Sequence, residues 1–329
     1  MTPTKLKRLL IIDGANMFIR NYVMSPQLDS NGKPIGGLVG FMRSLQKEIR
    51  RTNPDRVAIA WEGPGGSQSR KDKNKNYKAG RKPPKLNREY EFASTEEETD
   101  NKYEQMLRLT EYLENLPVFQ LMLENVEADD IIAWLCHCHE YSSWQKVIIS
   151  SDKDFLQLVS DTTIVWSPTK KKIYNTESLK EEFGIESKNI LLYRTLDGDD
   201  SDEIPGIKGL GIKTLLKRIP EFTGDVKLSM DDLFRLCEEK QVEKKPIKLY
   251  NDILSARPQL EMNERLMQLY DPEISGTIKM NILSQYDEHI NPLNKLDFMK
   301  VCMKYKIIDT FGNMSDWLNQ TFGTMITDR

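Results

Sequence analysis

The chain has 329 residues, 39% hydrophobic and 29% charged, with a formal net charge of −3, enough for one large soluble domain or two smaller ones with real cores. No apolar run approaches the roughly 20 residues of a membrane-spanning helix. The LLII run before Asp13 is too short for a secretory signal, so no membrane association is expected. Cys136, Cys138, Cys237 and Cys302 are too few and too unevenly placed for a disulfide framework, which points to a reducing cytoplasm.

In chain order, LLIID (9–13), VAIAW (57–61), VFQLML (118–123), KVIIS (146–150) and TIVWS (163–167) are compact apolar runs bounded by turn or charged residues, and they predict buried strands. Helical patterns fall between them at 37–51, 101–115, 128–140 and 153–159. This alternation predicts an α/β fold, a mostly parallel central sheet flanked by helices. From about 176 onward the chain reads as helices alone, among them TESLKEEF, DDLFRLCEEK and MNERLMQLY. A boundary near 195 divides a 1–195 domain from a helical 196–329 part. The segment 63–100 holds GPGG, a basic run, a PP pair and an acidic run without any strand pattern; so long a connection is usually functional or mobile.

Charge is distributed unevenly. Between Arg70 and Arg88 lie nine Lys or Arg against one acid, Asp72, for a local charge of +8, and the sign reverses directly afterwards in REYEFASTEEETD. A basic arm on an acidic body suits a polyanionic partner. Tyr77, Lys78 and Arg81 add an aromatic ring and two cations suited to stacking and phosphate contact, and Arg70 joins them as a candidate nucleic-acid contact.

Nine carboxylates form five short clusters at strand ends or helix starts: Asp13, Glu62, the Glu127, Asp129 and Asp130 of EADD, Asp152 and Asp154 of SSDKD, and Asp199 and Asp202. In parallel sheets, ligands bind beyond the carboxyl ends of the strands, so clusters distant in sequence can meet on one edge. Their mutual repulsion is relieved by hard divalent cations such as Mg2+ or Mn2+. Singly, EADD also serves as a helix start, where the macrodipole tolerates acids; it is the ensemble that argues for a metal site. The three histidines, His137, His139 and His289, lie away from these turns, so a histidine base is not expected and metal-activated water would supply the nucleophile. CHCH at 136–139 has zinc-donor types but no second ligand pair downstream, and reads as a helix face.

IPGIKGLGIKT (204–214) spaces Gly206, Gly209 and Gly211 ahead of a helix carrying Lys213. Ile212 stands where a P-loop needs its lysine, and no strand precedes it, so the pattern reads as a backbone phosphate clamp of the helix-hairpin-helix type.

Taken together and in this order, IIDGANMFIR, NYKAGR, VEADDIIA, ISSDKDFLQL and LDGDDSDEIPGIKGLGIKT resemble the 5′ nuclease (flap endonuclease) family, over about residues 8–220. That family includes phage 5′-exonucleases, the N-terminal domain of bacterial DNA polymerase I and the ribonuclease H of T-even phages; WSPTKKK looks most like the last branch. The resemblance implies a PIN-like fold with a basic arch near 63–100 and a helix-three-turn-helix near 204–218. It implies two Mg2+ ions, replaceable by Mn2+. One is held mainly by Asp13, Glu62, Glu127, Asp129, Asp130 and Asp152, partly through waters; the other by Asp154, Asp199 and Asp202, with Asp152 near both. Lys78 and Arg81 match the arch residues at the scissile phosphate, and Arg20 matches an active-site basic residue. Gly206 to Lys213 match the duplex grip, often with K+. Glu62 stands where the family usually has Asp, and Glu203 where Asn is common; water is expected to accommodate the longer Glu62 side chain.

The implied function is Mg2+-dependent hydrolysis of phosphodiesters near 5′ flaps or ends of DNA and in RNA–DNA hybrids, removing primers during replication, by a monomer beside proteins such as a single-strand binding protein. A PIN-type ribonuclease shares the acidic site but normally lacks both arch and clamp. A catalytically silent flap-binding scaffold is opposed by the complete carboxylate set.

Overall fold

A computed structural model describes residues 6–80, 90–243, 247–288 and 293–326. The five apolar runs form strands β1 (Arg8–Asp13), β2 (Arg56–Glu62), β3 (Phe119–Leu123), β4 (Gln145–Ile149) and β5 (Thr163–Ser167). They pair in parallel in the order β3-β2-β1-β4-β5, and a short β6 (Lys172–Tyr174), absent from the sequence reading, adds antiparallel to β5. Covered on both faces, β1 buries Leu9 through Ile12 completely, which is why its sequence is continuously apolar rather than alternating.

In chain order the helices are α1 (Gly14–Met24), α2 (Gly36–Thr52), α3 (Gln68–Lys73), α4 (Thr95–Leu113), α5 (Ala128–His137), α6 (Thr176–Phe183), α7 (Ile190–Asp197), α8 (Ile212–Arg218), α9 (Met230–Glu243), α10 (Lys248–Ser255), α11 (Arg257–Met267), α12 (Gly276–Glu288), α13 (Lys295–Lys304) and α14 (Met314–Ile326). Alternate strand residues separate two cores. Leu9, Ile11, Ala58, Ala60 and Ile148 pack with Ile131, Leu135, Leu179, Leu215, Leu233 and Ile253 on one face. Leu10, Ile12, Val57, Ile59 and Ile149 pack with Phe18, Phe41, Tyr112, Phe298, Trp317 and Phe322 on the other. Helices that follow residue 195 therefore contribute to both faces of the sheet. None of the described helices is long and apolar enough to cross a membrane.

Two local expectations are corrected. Residues 153–159 do not form an α-helix but a 3-10 turn, Asp154–Leu158. Asp152 accepts the Asp154 amide at 2.8 Å, an aspartate-closed turn that competes with helical pairing, and Val159 is already extended. Within 63–100 the chain is partly helical: α3 stands at the root of the basic arm, and α4 begins at Thr95, where Ser94 accepts the Glu97 amide at 3.1 Å as an N-cap. Arg81 and the rest of the arm to residue 89 lie outside the described residues.

Candidate active site at the carboxyl edge of the sheet

Strand order reverses between β2 and β4 on either side of β1, and Asp13 ends β1 at that switch point. Its carboxylate is fixed from two sides: Oδ1 accepts the Asn16 amide as the N-cap of α1, and Oδ2 accepts the Ser150 hydroxyl, both at 2.9 Å. Parallel register brings Glu62 to the same edge at the end of β2, where it is exposed. Ser150 follows β4 and also accepts the Asp152 amide at 3.1 Å, tying two strand ends together.

Helix α5 starts at this edge with Glu127 as N-cap residue and Asp129 and Asp130 in its first turn. The charged groups around Asp129 are chiefly Asp152 and Asp13; burial, and then these neighbours, push its carboxyl well above the usual range. Burial and the charge of Asp154, with Asp13 and Asp202 beyond, raise Asp152 likewise. Asp154 is raised by burial and held back by Arg194. Asp13, Asp129, Asp152, Asp154 and Asp202 thus form one electrostatically linked cluster. Among the described residues no three acidic, histidine or cysteine side chains already stand close enough to enclose an ion; anions without a cation between them repel.

Asp199 and Asp202 lie on a tight loop closed by a bridge between Asp199 and Ile204. Burial raises Asp199, but hydrogen bonds from Ser201 and Arg194 more than offset it, so its carboxyl falls below the usual range. Arg194 of α7 was not anticipated. Only 4% exposed, it sits 3.1 Å from Asp154 and 2.7 Å from Asp199, and donates to the Gly198 carbonyl. Its signal was available: a lone cation inside the apolar run ILLYRTL, five residues before Asp199.

The arm's root changes two assignments. Arg70 is no free nucleic-acid contact, being 5% exposed and paired with Asp130 and Glu127, each at 2.9 Å. Tyr77 cannot stack on a base, because its ring is 3% exposed among Leu191, Ile204, Leu266 and Met267, with its hydroxyl 3.3 Å from Glu127. Lys78 does reach the site. Its Nζ lies 3.0 Å from Glu127, and its amide donates to the Asp202 carbonyl at 3.1 Å. Its φ of 58° is a left-handed conformation uncommon outside glycine, shared among the described residues with Asn53, Asn125, Lys171, Glu203 and Lys306.

Arg20 is not brought to the cluster. It lies on α1, and the charged group it faces is Glu48 of α2. In the glycine turn, a Cβ on Gly206 would meet the Asp197 carbonyl at 2.0 Å, so its missing side chain serves internal packing. Gly209, at φ +78°, and Gly211 face open space, and Lys213 is exposed in the first turn of α8. Cys136 and Cys138 are buried and unpaired, and burial pushes both thiols up to about 12, as expected of a packed helix face.

The model of the family described as 5′-3′ exonuclease, N-terminal resolvase-like domain, matches residues 8–184. The chain belongs to the 5′-3′ exonuclease family. The 5′-3′ exonuclease of Buchnera aphidicola subsp. Schizaphis graminum is 30% identical over 226 residues, 68% of this chain and 73% of that one. DNA polymerase I of Bacillus subtilis strain 168 is 32% identical over 240 residues, 70% of this chain. The exonuclease-family chain spans about a quarter of the polymerase's length, 25%. Among solved structures, the bacteriophage T5 flap endonuclease in a pseudo-enzyme–product complex with DNA and metal ions has a TM-score of 0.62 at 17% identity, covering 90% of this chain and 100% of that one. That likeness is one of fold.

Proposed function

We propose that this chain is a divalent-metal-dependent, structure-specific 5′ nuclease that hydrolyses phosphodiesters near 5′ flaps or ends of DNA and in RNA–DNA hybrids, as in primer removal during replication. One observation carries the reading: Asp13, Asp129, Asp152 and Asp154, from three separate segments, converge at one sheet edge, and burial and like charge raise the carboxyls of Asp129, Asp152 and Asp154. Such a cluster is unfavourable as it stands and becomes favourable around cations. The donor set fits a hard divalent ion, being all oxygen, and the buried Oε1 of Glu127 has no partner.

Asp13, Glu62, Glu127, Asp129 and Asp152 would hold one ion, and Asp154, Asp199 and Asp202 a second. Bound there, the ions would activate water and offset charge on the phosphate. The chain's own groups supply the rest. Lys78 stands between both carboxylate sets, where an ammonium can meet a scissile phosphate's negative charge. Lys213 and the open backbone at Gly209 and Gly211 offer a grip on duplex phosphates away from the chemistry.

The test is cleavage of a 5′-labelled flap in Mg2+ and in EDTA. The reading requires Mg2+-dependent release of short 5′ products. Tight flap binding with no cleavage in Mg2+ or Mn2+ would make the protein a scaffold instead.

A further inference from the structure

We propose that Arg70 is a positioning residue of the cleavage site, acting through Glu127 and Asp130, and that Asp130 belongs to this brace rather than to the metal ligands. The proposal rests on the nuclease reading above.

Every nitrogen of the Arg70 guanidinium is engaged within the protein. Nη1 lies 2.9 Å from Asp130 Oδ2 and Nη2 3.2 Å from Oδ1, a two-pronged pairing, while Nε donates to the Leu266 carbonyl at 2.9 Å. Nη1 is also 2.9 Å from Glu127 Oε2. One buried cation therefore joins α3 at the root of the arm, the first turn of α5 and the end of α11.

The two neighbouring aspartates part here. Asp129 faces Asp152 and Asp13, whereas the groups around Asp130 are Arg70, Glu127 and the Glu273 amide. Asp130 points its oxygens at the guanidinium, away from the carboxylate cluster. Glu127 is held asymmetrically. Its Oε2 takes Arg70, Lys78 at 3.0 Å and the Tyr77 hydroxyl at 3.3 Å, and its Oε1 is buried without a partner. That buried oxygen, left open while its twin meets three donors and set beside the carboxylate cluster, is available to a cation. Arg70 fixes which oxygen that is. A group of this kind orients a ligand and tunes its charge without touching substrate.

Full-length Arg70→Lys, Asp130→Asn and Tyr77→Phe variants separate the possibilities. Arg70→Lys keeps the charge and loses the fork. Mn2+ binding is measured calorimetrically without nucleic acid, flap binding by anisotropy in EDTA across salt concentrations, and single-turnover cleavage in Mg2+. For Arg70→Lys the brace predicts Mn2+ affinity and cleavage rate each down by roughly tenfold or more, with flap affinity and its salt slope unchanged. Asp130→Asn should bind the wild-type number of Mn2+ ions, more weakly. If Arg70→Lys instead weakened flap binding and lowered the salt slope by about one ion while Mn2+ binding held, Arg70 would be a phosphate contact. Loss of a whole Mn2+ site in Asp130→Asn would return Asp130 to the ligands. Should Arg70→Lys lack a cooperative melt, Asp130→Asn and Tyr77→Phe carry the test, and unaltered Mn2+ affinity in both overturns the brace. Wild-type protein that binds no Mn2+ defeats the nuclease reading itself, whatever the variants do.

Discussion

Burial first, and repulsion after it, govern Asp152: burial withholds water from its carboxyl while Asp154, Asp13 and Asp202 surround it with like charge. Because its folded proton affinity is raised, protonation favours the native state. That contribution is fully present below the unfolded carboxylate range, near about pH 4, and is lost as pH rises through the raised folded value. In EDTA, Asp152→Asn should therefore melt above wild type at pH 8, and the gap should close on acidification. The same variant should cut Mg2+-dependent cleavage by roughly 10²-fold or more. A lower melting temperature at pH 8, or wild-type cleavage, would remove Asp152 from the cluster. Arg194 behaves oppositely. It is the fixed cation between Asp154 and Asp199, and Arg194→Gln leaves two partly buried anions uncompensated. Urea unfolding in EDTA should show a loss of about 3 kcal/mol, in the range for breaking a buried pair, partly recovered by Mn2+. A loss below about 1 kcal/mol would mean that the pair is solvated in effect.

At the scale of elements, the arm root and α8 divide the labour between chemistry and grip. Lys78 contacts Glu127 through its side chain and Asp202 through its amide, so Lys78→Ala should lower the single-turnover rate by roughly 10²-fold while flap affinity changes far less. Lys213, exposed on α8, should do the reverse. Lys213→Ala should weaken duplex binding and reduce the salt slope by about one, with cleavage at saturating enzyme nearly unchanged; an equal fall in rate would place it in the chemistry. Strand ends were legible because a buried parallel strand is a continuous apolar run, and the first polar residue after LLII or VAIAW marks its carboxyl end. The convergence of Asp13 and Asp152 follows from that alone. The fate of Arg70 was not legible, because its partners Asp130 and Leu266 lie 60 and 196 residues away, and composition cannot distinguish a solvated cation from a braced one. Strand β6 was hidden for a related reason: KIY is too short for a periodic signal, and pairing with β5 defines it.

Across the whole molecule, helices after residue 195 pack on both faces of the sheet. Leu215, Leu233 and Ile253 share a core with Leu9 and Ile148, while Phe298, Trp317 and Phe322 lie on the opposite face with Leu10 and Ile149. The sequence shows where strands stop but not where the following helices dock, because an apolar helix stripe fits either face. Trp317 tests the consequence. Its ring stacks on Phe298 at a centroid distance of 5.9 Å and meets Phe311 and Phe322 at 5.0 and 6.0 Å. Trp317→Ala should cost about 3–5 kcal/mol, the usual range for deleting a buried aromatic side chain. If the sheet and the late helices share one core, the loss must appear as a single cooperative transition at lower urea, reported identically by far-ultraviolet circular dichroism and by the fluorescence of the remaining tryptophans, Trp61 and Trp166 among them. Residues 1–195 expressed alone should then lack a cooperative melt, having lost cover from both faces at once. A stable, cooperatively melting 1–195 fragment, or a Trp317→Ala transition split into two steps, would show instead that the helical part is a separable unit.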